Sequence, residues 1–350
     1  MKGSQVGIIG GGIAAAVIIA VLFVSMGTQN DAVPLPIEND VVIPSEDKFL
    51  VYTTFYPLYQ FTQGVAGDAA DVRILIPSNG DPHSFELGPK TIVDLTKADM
   101  LVYNGAGFEP YIDEIMSSSD FDHIIFVDSS EGITLMEGEV HDHSSHGSHG
   151  DEKHDDHAKE DGHDDHAEEG DMDHTYDPHI WLDPILAKSQ VMTIADHLKE
   201  SDPEHADIYH DNAISYANQL DLLDQEIRSE VSSCAKDTFV PFHNAFLYFA
   251  ERYDLNTLAV IQEFSPETPV TAKDIEELIH FAEDNDIKYF FTEENRNPRI
   301  AERLATELGG DILLFSPLES LSAKDDPDTT YFDKMRQNVD NLQIALECSS

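Results

Sequence analysis

Lysine and arginine are scarce in this chain, 20 against 68 aspartates and glutamates in 350 residues, for a formal charge of −48. A surface so acidic repels phosphate and excludes nucleic acid as a partner. It suits a protein that stays soluble at high salt or attracts cations. Cysteine is scarcer still: Cys234 and Cys348 are the two in the chain, and no CxxC pair exists. That excludes thiolate zinc motifs and thioredoxin-type chemistry. In an exported chain the two cysteines can form one disulfide, which the sequence leaves open. No H-E-x-x-H occurs, and no general base stands out beside a metal-binding phrase, which argues against a zinc hydrolase.

What is present is enough apolar residue, 41% of the chain, to bury a core of one large or two ordinary domains. One uncharged run stands apart at the start, VGIIGGGIAAAVIIAVLFVSM over 6–26. It is long enough to cross a bilayer as a helix. Lys2 before it and Asp31 and Glu38 after it place the short N-terminal end inside. Its length favours an uncleaved anchor over a signal peptide cut near Gly27. No cysteine follows closely enough to carry a lipid. The bulk of the chain is therefore expected outside the cytoplasm, held at the outer face of the membrane, or secreted or periplasmic if the segment is cut. Residues 28–46 are Pro-rich and polar and read as a tether.

From Lys48 onward strand-like and helix-like segments alternate. Strands are expected at 48–54, 72–76, 99–104 and 123–128, and again at 237–242, 257–262, 287–292 and 311–316. Helices fall between them, from Pro57, Pro89 and Pro110 in the first half, and from Asn244, Thr271 and Pro298 in the second. A last helix runs over about 330–347. This is the pattern of parallel sheets flanked by helices. Between the halves lie a helix over 184–200 and a second one to about Ser232. In the second, Ala213, Tyr216, Leu220, Leu223 and Ile227 form one apolar stripe. About 29 residues at 1.5 Å each span roughly 43 Å, suited to a strut. The expected organisation is an anchor or signal at 1–27, a tether at 28–46, an α/β lobe over 47–200, a linking helix over 201–232 and a second α/β lobe over 233–350.

Residues 141–174 differ in kind. They hold 13 acids, two lysines and nine of the 17 histidines: His141, His143, His146, His149, His154, His157, His163, His166 and His174. Such a stretch cannot bury enough apolar surface to offset ordering, so a disordered loop is expected. Its imidazoles and carboxylates are expected to serve as auxiliary weak metal ligands at neutral pH, the alternative being a solvated charged linker.

Eight histidines remain. His197, His205, His210 and His280 sit among acids on helices and read as solvated, and His123 opens a strand. His83 in SNGDPHSFEL, His179 in YDPHIWLDP and His243 in FVPFHNAF have other settings. His83 and His243 follow strands in opposite halves, where ligands of α/β sheets collect. Two of the three follow Asp-Pro, a stiff turn. Imidazole suits zinc, copper, nickel and iron, and three histidines make a zinc arrangement.

The phrases VYTTFYPLYQFTQGVAGD, ILIPSNGDPHSFELGPKTIVDLTKADMLVYNGAGFEPYI, DPHIWLDP, HNAFLYFAERYDL and TTYFDKMRQNVDNL, in this order over about 48–347, carry a resemblance. The chain resembles the metal-specific solute-binding proteins of ABC importers, cluster A-I, in their zinc-binding, ZnuA-like branch. The resemblance implies two α/β lobes joined by a long rigid helix, with Zn²⁺ in the cleft between them. It implies ligands at His83, His179 and His243, and a monomer that hands the ion to a membrane permease. A carboxylate in the third place marks the manganese branch; His243 stands there, and imidazole favours zinc. Family members often supply an aspartate after the last strand, in a phrase like LDPL. Here LFSPLESL puts Ser316 in that place. Serine is a poor zinc ligand, so the fourth position falls to water or to Glu319. The other functions weighed are a manganese-type importer protein, a surface adhesin or zinc store built on the tract, and a zinc hydrolase. Binding needs neutral imidazoles, so affinity is expected to fall below about pH 6.5.

Overall fold

The computed structural model describes residues 48–138, 176–266 and 269–349. The N-terminal run, the tether and the His-rich tract expected from the sequence lie outside these residues. Among the described residues no helix is long and apolar enough to cross a membrane.

The first half carries β1 (Phe49–Thr53), α1 (Tyr56–Ala66), β2 (Ala70–Ile74), α2 (Pro89–Leu95), β3 (Met100–Tyr103), α3 (Ile112–Met116) and β4 (Ile125–Asp128). Its strands are mostly apolar, each with at least one β-branched residue, and they pair in parallel in the order β2-β1-β3-β4. Next come α4 (Pro184–Ser201) and α5 (Ala206–Val231). The second half carries β5 (Thr238–Phe239), α6 (Leu247–Arg252), β6 (Asn256–Thr257), α7 (Ala272–Asp284), β7 (Tyr289–Thr292), α8 (Arg299–Leu308), β8 (Asp311–Leu314) and α9 (Tyr331–Ala345). β5 pairs with β6 and β7 with β8, all in parallel, and a bridge from Val240 to Phe290 joins the pairs. The resulting order, β6-β5-β7-β8, repeats that of the first half. This is the α/β architecture that the alternation implied.

β5 and β6 are much shorter than the six-residue runs expected for them. Pro241 has no N–H and breaks the ladder. Pairing resumes past it, with Ile261 N–H donating to the Phe242 carbonyl at 2.7 Å and a bridge at His243–Ile261. Helix ends follow local chemistry. Thr271 with Asp274, and Thr330 with Asp333, form capping boxes at the starts of α7 and α9. Gly309 closes α8 in the left-handed conformation, φ 70°.

α5 has 26 residues, roughly 39 Å at 1.5 Å per residue, and a short 3₁₀ turn at Pro203–His205 leads into it. Its buried stripe, Tyr209, Ala213, Tyr216, Leu220, Leu223 and Ile227, packs on α4, on α1 and on α9. A Cβ at Gly64 would stand 2.4 Å from the Tyr216 ring, so α1 approaches closely because glycine is there. Phe61 of α1 meets both Tyr216 and Tyr331 edge-on, and Arg336 of α9 pairs with Glu226 at 3.0 Å. Cys234 and Cys348 form a disulfide that ties the end of α5 to the end of the chain. The largest apolar cluster runs from Val51 through Trp181 to Phe315 and Leu342, so both halves share one continuous core.

Candidate metal centre

Three loops at strand ends and one short turn bring four side chains together. His83 lies in a 3₁₀ turn beyond β2, where the Asp81 carboxylate accepts its backbone N–H at 3.0 Å and Pro82 fixes the first φ. His179 opens the turn Ile180–Leu182 that leads into α4. His243 follows β5, and Glu319 lies in the loop beyond β8. The ligand atoms of these four all lie within 4.8 Å of one another.

The three imidazoles converge on one oxygen. Glu319 Oε1 is 3.1 Å from His83 Nε2, 3.4 Å from His243 Nε2 and 3.6 Å from His179 Nε2. The Nε2 atoms of His179 and His243 are 3.3 Å apart. Zinc–nitrogen bonds of about 2.0–2.1 Å at tetrahedral angles put two nitrogens about 3.3 Å apart. The donor set and this spacing therefore fit a zinc ion. His179 and His243 are fully buried, and His83 and Glu319 nearly so.

The far sides of two rings are held by carboxylates. His179 Nδ1 is 2.7 Å from Asp177 Oδ1, which also accepts the backbone N–H of His179 at 2.9 Å. His243 Nδ1 is 2.6 Å from Glu293 Oε1, which accepts the His243 backbone N–H at 3.2 Å. Such pairs fix the tautomer, leaving Nε2 as the donor to metal, and raise its basicity. Burial disfavours charge on both imidazoles. For His243 the Glu293 carboxylate and Glu319 outweigh burial and push the pKa up to about 10. For His179 burial is likewise overcome, by Asp177 and then Glu319, and the pKa rises. Burial would raise the Glu319 carboxyl, but charge on His83 and hydrogen bonds from the three imidazoles hold it well below the usual range.

Ser316, which the sequence set in the ligand place of the last loop, braces that loop instead. Its hydroxyl accepts the Leu318 N–H at 3.1 Å, and the Asn338 amide bonds both its backbone N–H and its carbonyl at 2.7 Å. Trp181 Nε1 donates to the Pro317 carbonyl at 2.7 Å. Leu318 then turns the chain through φ 60°, an unfavourable conformation for leucine, and delivers Glu319 to the histidines.

The remaining described histidines stay apart from the centre. His123 bonds the Thr96 carbonyl, His205 pairs with Asp202, and His197 and His280 lie near Glu131 and Glu283. The nine tract histidines, His141 to His174, lie outside the described residues. Their flanks, however, meet: Glu137 and Tyr176 form an antiparallel bridge. The Tyr248 hydroxyl clasps that base, accepting the Met136 N–H and donating to the Asp177 carbonyl, each at 2.9 Å.

Two residues of the centre were not legible as such in the sequence. Asp177 reads as part of a stiff Asp-Pro turn, and Glu293 sits in no metal-binding phrase. The available signal for Glu293 was its place directly after a strand, at the end of the sheet where ligands collect.

The model of the family described as "Zinc-uptake complex component A periplasmic" matches residues 51–345. The high-affinity zinc uptake system protein ZnuA of Bacillus subtilis is 34% identical over 301 residues, 86% of this chain and 88% of that protein. The zinc-binding protein AdcA of Streptococcus pyogenes serotype M3 is 34% identical over 304 residues, 87% of this chain. The chain spans 57% of the length of that relative. Among solved structures, the Zn(II)-bound ZnuA-like domain of Streptococcus pneumoniae AdcA superposes with a TM-score of 0.67 at 28% identity, covering 86% of this chain and 99% of that domain.

Proposed function

We infer the function from a membership that the match over residues 51–345 establishes: the chain belongs to the family of the periplasmic zinc-uptake complex component A. It is a zinc-binding solute-binding protein of an ABC importer and works outside the cytoplasm. Zn²⁺ is its cargo. We assign the ion to His83, His179, His243 and Glu319. The convergence of three Nε2 atoms on Glu319 Oε1 within 3.6 Å carries this assignment. Three nitrogens and one carboxylate oxygen make a four-coordinate, closed zinc site.

The filled fourth position also speaks against catalysis, since a hydrolytic zinc keeps that position open for water. In our reading the protein acts as a monomer, held by its N-terminal segment, and passes zinc to a membrane permease. The lobes are 47–200 and 233–350, with 201–232 linking them. The tract at 141–174 gathers metal loosely through its nine histidines.

Titration of the purified chain with zinc, in competition with Mn²⁺, tests the assignment. One tight zinc per chain that resists excess manganese is expected. Preference for manganese, or retention of the tight site after His243→Ala, would overturn it.

A further inference from the structure

One guanidinium lies between two carboxylates that grip opposite sides of the metal centre. Arg296, three residues beyond Glu293, donates from Nη2 to Asp81 Oδ2 at 3.0 Å. Its Nε is 4.0 Å from Glu293 Oε2. The other oxygen of Asp81 accepts the backbone N–H of His83 at 3.0 Å. The other oxygen of Glu293 accepts from Nδ1 of His243 at 2.6 Å. A single cation thus connects, carboxylate to carboxylate, a ligand of the first half to a ligand of the second. The Arg296 side chain is 16% exposed.

Arg296, Asp81, Glu293 and Glu319 also line one small cavity of about 80 Å³. Beside it, Asn79 ties the loops that carry His83 and Glu319. Its N–H donates to the Leu321 carbonyl, and its side-chain oxygen accepts the Ala323 N–H, both at 2.9 Å. The ligand-bearing loops are therefore stitched together at the edge of the centre, and the charged stitch is the stronger kind.

A positive charge so close to a bound cation does not favour the ion directly, because like charges repel. Its geometry points elsewhere. Moving the His83 loop away from the His243 loop would stretch the Arg296–Asp81 hydrogen bond or the looser 4.0 Å ion-pair contact of Arg296 with Glu293. We propose that Arg296 is a latch, a positioning residue that sets how fast zinc leaves by tying Asp81 to Glu293. The proposal rests on the zinc site described above.

The test compares the full-length wild type with Arg296→Met and Arg296→Lys. Zinc-loaded protein is mixed with excess EDTA, and the loss of bound zinc is timed. Association is timed separately with a fluorescent zinc chelator. Arg296→Met should release zinc about tenfold faster, the size expected for losing a charged hydrogen bond, with association no slower. Arg296→Lys keeps the charge without the planar fork and should recover part of the retention. A residue that merely supports the fold would lower the unfolding midpoint without this kinetic split or the lysine rescue. Release from Arg296→Met at the wild-type rate, or no rescue by lysine, overturns the latch while leaving the zinc site intact. Absence of tight zinc from the wild type would overturn both.

Discussion

Glu293 holds His243 from behind: Oε1 lies 2.6 Å from Nδ1, with both side chains buried. The carboxylate fixes which imidazole nitrogen faces the metal and makes it a better donor. Glu293→Gln keeps the shape and removes the charge. Zinc affinity should fall by about 10–100-fold, the usual cost of losing such a partner. Competition against a chelator of known affinity reads this directly. Unchanged affinity would mean that Glu293 is a bystander.

The same carboxylates set the pH response. With no metal, Glu293 and Glu319 hold His243 protonated, up to a pKa of about 10. The unfolded value is about 6.5. Its contribution to the stability of the zinc-free protein is therefore complete below about pH 6.5 and is lost as pH rises toward 10. Zinc needs neutral imidazole, so affinity moves the opposite way and climbs across that window. The ordinary imidazole value implies a loss of affinity below about 6.5; the buried carboxylates move the competition upward. Binding at pH 7 should release at least one proton, measurable from calorimetric heats in buffers of different ionisation enthalpy. Zinc uptake without proton release would contradict the linkage.

Much of this was legible in the sequence, and the limits have physical causes. The strand and helix alternation reads from local pattern, and so do His83, His179 and His243, because Asp-Pro turns and strand ends mark them. Glu319 could be weighed only against water, because what selects it is tertiary. Asn338, Trp181 and the strained Leu318 bend the last loop so that Glu319, not Ser316, arrives at the centre. Glu293 and Arg296 escaped because their partners lie 50 and 215 residues away. The shortening of β5 and β6 traces to Pro241, which the apolar run concealed.

Glu319 and Ser316 should separate cleanly under mutation. Glu319→Ala removes a proposed ligand and should weaken zinc by more than about 100-fold, beyond the cost of a supporting group. Ser316→Ala leaves the buried Leu318 N–H unpaired and should cost about 1–3 kcal/mol of stability. Its effect on affinity should stay below about tenfold. Denaturant melts and chelator competition on both variants check this. Equal losses of affinity would give the serine a part in the site.

The Cys234–Cys348 disulfide closes a loop with a sequence separation of 114 and pins the end of α5 to the chain terminus. Cross-links over long loops restrict the unfolded chain most. Reduction, or Cys348→Ser, should lower stability by about 2–5 kcal/mol. Neither cysteine is among the four residues of the metal centre, so zinc stoichiometry should not change. Urea unfolding with and without reductant measures the first; titration of the reduced protein measures the second.

Deleting the His-rich tract tests the division of labour between loose and tight ligands. Glu137 and Tyr176 pair across its base, and the Tyr248 hydroxyl binds Met136 on one flank and Asp177 on the other. The two described flanks therefore meet at one point, with Tyr176 one residue before Asp177 and three before His179. A chain lacking 141–174 should keep that base, and with it the His179–Asp177 pair. Total zinc per chain should fall as nine imidazoles are lost, while the tight equivalent and its release rate stay within about threefold, below the tenfold loss that marks a lost supporting partner. His179→Ala in the intact chain should do the reverse. Zinc counted by metal analysis after dialysis against a weak and then a strong chelator separates the two classes. Loss of the tight equivalent with the tract would move the functional site from the centre to the loop.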